Sequence, residues 1–232
     1  LFWYYLDQSD LDAEVTRDDR PALDTIYWEG RRNLLYRVNY HGRRINLEMY
    51  HVLTDGTGAF EFLKAILAEY LGIRYGLDLI QTTGSRASGE DRQNDAFGKY
   101  YHKAKEKPEG QKSAPKRAYH LRGDKDENLQ NHLLEGTVSV EAFLAAARER
   151  NSTVAELSTA LFIQAALREM SVRDRKYPIV LSVPVNLRNY FPSDTARNFF
   201  GVINVVYDPA LYDGTLESII PVVRESFDKQ LK

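Results

Sequence analysis

A polar stretch near the middle of the chain restricts its fold more than any other feature. Thr82 to Asp95 and Lys103 to Lys112 are almost all charged, small or hydroxylated residues. Few of them could enter a core, so residues 82–117 are expected to form a long exposed loop or linker. The apolar patterning then falls into two blocks, 1–81 and 118–232, each expected to belong to one part of the molecule.

In the first block, Leu34–Tyr40 is rich in strand formers and Ile45–Tyr50 alternates apolar with polar residues except at its last pair, with Gly42 between the two runs. That pattern predicts a β-hairpin. Ala59, Phe62, Leu63, Ile66, Leu67 and Tyr70 recur at helical spacing, which predicts a helix ending near Gly72. In the second block, Leu133–Val138 reads as a strand and Ser139 as the cap of a helix with Phe143, Leu144 and Ala147 on one face. Thr153 and Glu156 form a capping-box pair opening a second helix, apolar on most sides and therefore expected to be buried. Pro178–Pro184 predicts a central strand, Phe199–Tyr207 another that starts around Gly201, and Leu216–Leu231 a final amphipathic helix. The order β-β-α, loop, β-α-α-β-β-α fits an α/β sandwich or an α+β fold.

Composition removes several function classes. The 31 basic and 33 acidic residues give a net charge of −2, which disfavours nucleic-acid binding through bulk positive charge. With no cysteine, disulfides, thiolate zinc sites and a cysteine nucleophile are excluded. There is neither a Gly-rich phosphate loop nor a metal-ligand motif, so no metal is expected. No apolar run reaches the roughly 18 residues of a membrane span. The absence of targeting signals leads to the expectation of a cytoplasmic protein.

Among the five histidines, His51 stands apart from His41, His102, His120 and His132. It ends an apolar strand, precedes Asp55 and Gly56, and is followed by a helix. A histidine at a strand end beside a glycine-permitted turn is well placed to protrude into a cleft. The spacing alone is weak, since His120-Leu-Arg-Gly-Asp124 also matches it at the edge of the polar stretch. The Phe2-Trp3-Tyr4-Tyr5 cluster reads as a core strand or a ligand wall. Arg31-Arg32 and Arg43-Arg44 read as strand-flanking surface charge or contacts for coenzyme phosphates.

Three ordered motifs carry a family resemblance. His51-Val-Leu-Thr-Asp55-Gly56 resembles the active-site motif of the chloramphenicol-acetyltransferase-like acyltransferases, which include the nonribosomal-peptide condensation domains and the alcohol O-acetyltransferases. Val183-Pro-Val-Asn-Leu-Arg188 resembles the strand ending in that family's structural arginine. Asn198-Phe-Phe-Gly201-Val-Ile-Asn204 resembles the following strand, whose Gly and Asn face the central tunnel. The match covers most of the chain outside 82–117, and the alcohol O-acetyltransferase branch is the nearest. Tyr50 stands where condensation domains carry a first histidine. Two-lobe members are longer than this chain, so the resemblance implies an incomplete two-lobe arrangement. Residues 1–81 would belong to the N-terminal lobe, 118–232 to the C-terminal lobe, and further segments of the same chain would complete the fold.

The resemblance implies an acyltransferase that uses acetyl-CoA or another acyl-CoA as co-substrate and a small alcohol or amine as acceptor, with no bound cofactor. His51 would be the general base, deprotonating the acceptor as it attacks the thioester. Asp55 would pair with Arg188 in a bidentate contact supporting the turn that aims His51. Ser182, Asn186 and Asn204 are candidate oxyanion donors or tunnel-wall residues, or else polar residues on an exposed strand face. Gly56 and Gly201 would permit close backbone approach, or serve only as turn or bulge residues. The alternatives are a condensation-type domain using carrier-protein thioesters, or a non-catalytic binding relative of the fold.

Overall fold

The computed structural model describes residues 9–20, 23–28, 30, 32–79, 89–101, 117–124, 126–127, 132–211 and 213–231. The Phe2–Tyr5 cluster, Arg31, and residues 82–88 and 102–116 of the polar stretch, His102 among them, lie outside these residues. The described chain is of the α+β class, with two small sheets and six helices. It divides into two units. The first comprises the described residues of Leu1–Lys103, Asp126–Leu133 and Asn186–Phe200. The second comprises those of Ala104–Lys125, Leu134–Val185 and Gly201–Lys232. Residues 186–200 group with the first unit, apart from their neighbours in sequence.

The first unit is built on a hairpin of β2 (Tyr36–His41) and β3 (Arg44–Met49), with β1 (Val15–Arg17) added parallel to β2. Its turn is Gly42-Arg43, with Gly42 at φ +58° and Arg43 at negative φ, the combination of a type II′ hairpin turn. Paired across the strands are Arg37 with Glu48, as an ion pair, and Asn39 with Asn46, whose amide groups bond at 2.9 Å. Asn39 is buried, and this bond satisfies its side-chain oxygen. The helix α1 spans Gly56–Tyr75 and stops at Gly76, which takes the left-handed conformation of a helix-terminating glycine. It runs past Gly72, where the sequence pattern places its end. Tyr36 meets Phe62 edge to face at 5.4 Å, seating α1 on the hairpin.

The polar stretch also differs from expectation. Its described residues form two short helices, α2 (Gly89–Gln93) and α3 (Ala96–Tyr100). Ala96 is buried, and Phe97 and Tyr100 pack their rings against Phe199 at 5.1 and 6.1 Å. Two aromatics at helical spacing suffice to dock a segment that is otherwise polar.

The second unit packs α4 (Val140–Glu149), α5 (Val154–Glu169) and α6 (Leu216–Gln230) with all but the end residues Asn186 and Phe200 of a two-stranded sheet, β4 (Ile179–Asn186) and β5 (Phe200–Tyr207). Ser139 caps α4, and Thr153 and Glu156 make the reciprocal capping box of α5 at 3.2 and 2.7 Å. Leu157, Ala160, Ile163, Ile203, Val205, Tyr207, Ile219 and Val223 form the core. The strict alternation along β5 puts Ile203, Val205 and Tyr207 inside and leaves Val202, Asn204 and Val206 exposed. Three expectations are corrected. Residues 133–138 form no strand, and Leu134 and Val138 are exposed. β4 has one neighbour among the described residues and is not central. α5 is buried on one face only, since Leu161 and Phe162 are exposed. No helix among the described residues is long and apolar enough to cross a membrane.

Candidate functional site

The site is assembled within the first unit, around the turn that joins β3 to α1. The strand ends at Met49, and residues 51–53 turn the chain into the helix. Asp55 is the N-cap of α1. Its Oδ1 accepts from the amides of Thr57 at 3.1 Å and Gly58 at 3.2 Å, satisfying two of the helix's orphan donors. The other oxygen, Oδ2, accepts from Arg188 Nη1 at 2.7 Å and from the Phe199 amide at 2.8 Å. Burial pushes the Asp55 carboxyl up. The Arg188 hydrogen bond, the Phe199 and Gly58 amides and the Arg188 charge outweigh that effect and hold it below its ordinary value. Both side chains are nearly enclosed, at 9% exposure for Asp55 and 11% for Arg188.

The expected bidentate contact is not what forms. Only Nη1 of Arg188 reaches Asp55. The remaining guanidinium donors go to backbone carbonyls: Nε and Nη2 to Thr195 at 3.1 and 3.0 Å, and Nη2 to Arg197 at 2.6 Å. Five N–H groups in a planar fork can serve a carboxylate and a curled backbone together. Arg188 thus shapes the segment 195–199 as well as pairing with Asp55.

That segment runs along the turn as a strap, bonded to His51, Val52, Thr54 and Asp55. Asn198 donates from Nδ2 to the His51 carbonyl at 2.9 Å and to the Val52 carbonyl at 3.3 Å. The Thr54 hydroxyl donates to the Ala196 carbonyl, and Asp55 takes the Phe199 amide. At the end of the strap, the Phe200 ring meets the His51 ring at 5.8 Å and 63°. The strap is anchored in turn by the short helices. The Thr195 hydroxyl donates to the Asn94 carbonyl at 2.6 Å, and the Ala196 amide to the Arg92 carbonyl at 2.8 Å.

His51 itself is exposed, with its backbone held and its imidazole making no hydrogen bond among the described residues. It lies on the wall of a groove of about 650 Å³, bordered by residues 23–27 and by β3. An imidazole that is positioned from behind and open in front can exchange a proton with a bound molecule.

The other candidates fall in different places. Asn186 belongs to the support. Its Oδ1 accepts from the Arg188 amide at 3.0 Å and from Nη1 at 3.2 Å, and its Nδ2 donates to Thr57 Oγ at 3.2 Å. Its amide is therefore engaged in holding the turn and is not a free oxyanion donor. Ser182, Gly201 and Asn204 lie in the second unit. Ser182 donates to Asn204 Oδ1 at 2.8 Å, and both are exposed, the alternative raised for them from sequence. Gly56 has nothing near where a Cβ would stand. The close approach belongs to Gly58, where a Cβ would fall far inside contact with Thr54 Oγ and the Ala196 carbonyl oxygen. Arg32 and Arg44 make surface ion pairs with Asp10 and Asp18. No cluster of metal-ligating side chains occurs among the described residues.

Asn198, Gly58 and Thr54 are residues of the candidate site that sequence reading did not single out. Asn198 carried a signal, a lone amide immediately before an apolar strand. Gly58 and Thr54 carried none until the strap was seen against them. Comparisons with protein-family models, with curated proteins and with solved structures gave no match to this chain.

Proposed function

We propose that this chain is an acyltransferase, moving an acetyl or other acyl group from a coenzyme A thioester to a hydroxyl-bearing acceptor with His51 as general base. The observation that carries the reading is the strap. An exposed histidine on a groove wall has its turn bonded from behind by Asn198, Phe199 and Arg188, while the motif's carboxylate faces away into a buried ion pair. Asp55 then supports the histidine's placement and takes no part in proton transfer. The finer fold reading, a chloramphenicol-acetyltransferase-like sandwich near the alcohol O-acetyltransferase branch, belongs to the same proposal and rests on the three sequence motifs.

The chemistry follows from the groups present. An alcohol does not ionise at neutral pH, so its attack on a thioester needs a base, and a neutral imidazole can take the proton as the C–O bond forms. The tetrahedral intermediate collapses with loss of the thiolate, which takes the proton back from the imidazolium. Ester and free thiol are formed, and no covalent enzyme intermediate is needed, in keeping with a chain that has no cysteine.

The test is release of free thiol from acetyl-CoA by the full-length protein, with a panel of simple alcohols and amines, beside its His51→Ala variant. Acceptor-dependent release that vanishes in the variant is the expected result. Turnover only with a phosphopantetheinyl carrier thioester would select a condensation-type domain instead. Acetyl-CoA binding without turnover on any acceptor would select a non-catalytic relative.

A further inference from the structure

We infer that the groove beside His51 is the acceptor site and that it selects an uncharged alcohol with an aromatic or broad apolar body; this rests on the reading of His51 as the base. Its volume of about 650 Å³ suits a small organic molecule. Leu23, Ile26, Leu47 and Met49 contribute to walls that are mainly apolar. Tyr27 and Tyr50 stack on one another with centroids 5.9 Å apart and planes 15° from parallel, and each is close to half exposed. This places a flat aromatic surface on the groove one residue from the base. A ring laid on that surface would be held by stacking.

The charges on the groove argue against polar acceptors. Its two carboxylates, Asp24 and Glu48, are already met by cations and amides. Glu48 accepts from Arg37 and from the Leu23 amide, at 3.3 Å for the latter. Asp24 lies 3.8 Å from Arg37 and 3.9 Å from Arg20, and accepts the Thr25 amide at 2.8 Å. An ammonium or carboxylate on the acceptor would find its opposite charge already paired, and would lose hydration without return. A polyol would meet the same penalty on the apolar walls.

The test compares benzyl alcohol, ethanol, glycerol and ethanolamine as acceptors for the full-length protein with acetyl-CoA. Alongside it, binding of benzyl alcohol alone is followed by saturation-transfer NMR. Benzyl alcohol should exceed glycerol and ethanolamine in kcat/KM by about three- to tenfold, the scale of one good stacking contact. Tyr27→Ala should raise KM for benzyl alcohol by a similar factor and that for ethanol by less than about twofold, and Tyr27→Phe should restore the preference. If ethanol is acetylated but benzyl alcohol is no better than glycerol, the inference fails and the acyltransferase reading stands. If no alcohol releases thiol yet benzyl alcohol binds in a Tyr27-dependent way, the site stands and the acyltransferase reading fails. Neither turnover nor binding overturns both.

Discussion

Replacing Asp55 by asparagine tests the support of the turn most directly, because the two side chains are nearly the same size. Asparagine is also a good N-cap, so the bonds from Thr57 and Gly58 can persist. What changes is Oδ2. An amide NH2 there would face two donors, Arg188 Nη1 and the Phe199 amide, which now approach to 2.7 and 2.8 Å. The guanidinium, only 11% exposed, would lose its counter-charge. Breaking one side of a buried pair costs about 3–5 kcal/mol. For a chain of this size that lowers the melting midpoint by roughly 6–20 °C. Arg188→Lys should cost nearly as much, since a single ammonium cannot hold both Asp55 and the carbonyls of Thr195 and Arg197. The pH dependence has a definite sign. The folded Asp55 carboxyl titrates below its ordinary value. Its contribution is therefore present in full above the unfolded value of about 4, and it is lost as pH falls through the lower folded value. The gap between wild type and Asp55→Asn should be widest near neutrality and should close in acid. Melts by circular dichroism across that range decide the matter. A variant that melts within a degree or two of wild type at pH 7, or a gap that widens in acid, would refute the reasoning.

Gly58→Ala should destabilise by about 1–3 kcal/mol, because its Cβ collides with Thr54 Oγ and the Ala196 carbonyl. Gly56→Ala, where a Cβ meets open space, should be neutral or up to about 1 kcal/mol stabilising, and parallel melts that rank the two the other way would contradict the strap. Asn198→Ala removes two hydrogen bonds but also a buried amide oxygen that has no partner among the described residues, so its stability should stay within about 1 kcal/mol of wild type. In thiol-release kinetics the same variant should lose kcat by about tenfold or more with KM little changed, since a displaced base costs rate before binding. A large fall in melting midpoint with unaltered kcat would make Asn198 a purely structural residue.

Local chemistry was legible where it depends on neighbours in the chain. Gly42 marked the hairpin, Ser139 and Thr153 marked two helix starts, and the apolar run ending at Tyr207 marked a strand, though its alternate burial shows only in the structure. The errors have one physical origin, which is contact across sequence distance. Leu133–Val138 has strand composition but no neighbour to pair with among the described residues, and a strand is defined by its partner. Phe97 and Tyr100 were hidden in polar surroundings until Phe199 gave them something to pack on. The Asp55–Arg188 pairing came from resemblance, and its single-point form with carbonyl partners could not come from either residue alone.

The chain holds two stretches with His and Asp four residues apart, and comparing them shows what the spacing means. At His120 and Asp124 both residues are exposed and no helix follows directly among the described residues. At His51 and Asp55 the two residues do not bond to each other. The histidine's carbonyl goes to Asn198, the carboxylate goes to Phe199 and Arg188, and the Thr54 hydroxyl between them goes to Ala196. The spacing is thus the pitch at which one segment lies along another, with the helix cap at its end. Such a motif acts only where a second segment carries complementary donors and acceptors at matching positions. For that reason Asn198 and Arg188 are as informative about this site as the histidine itself.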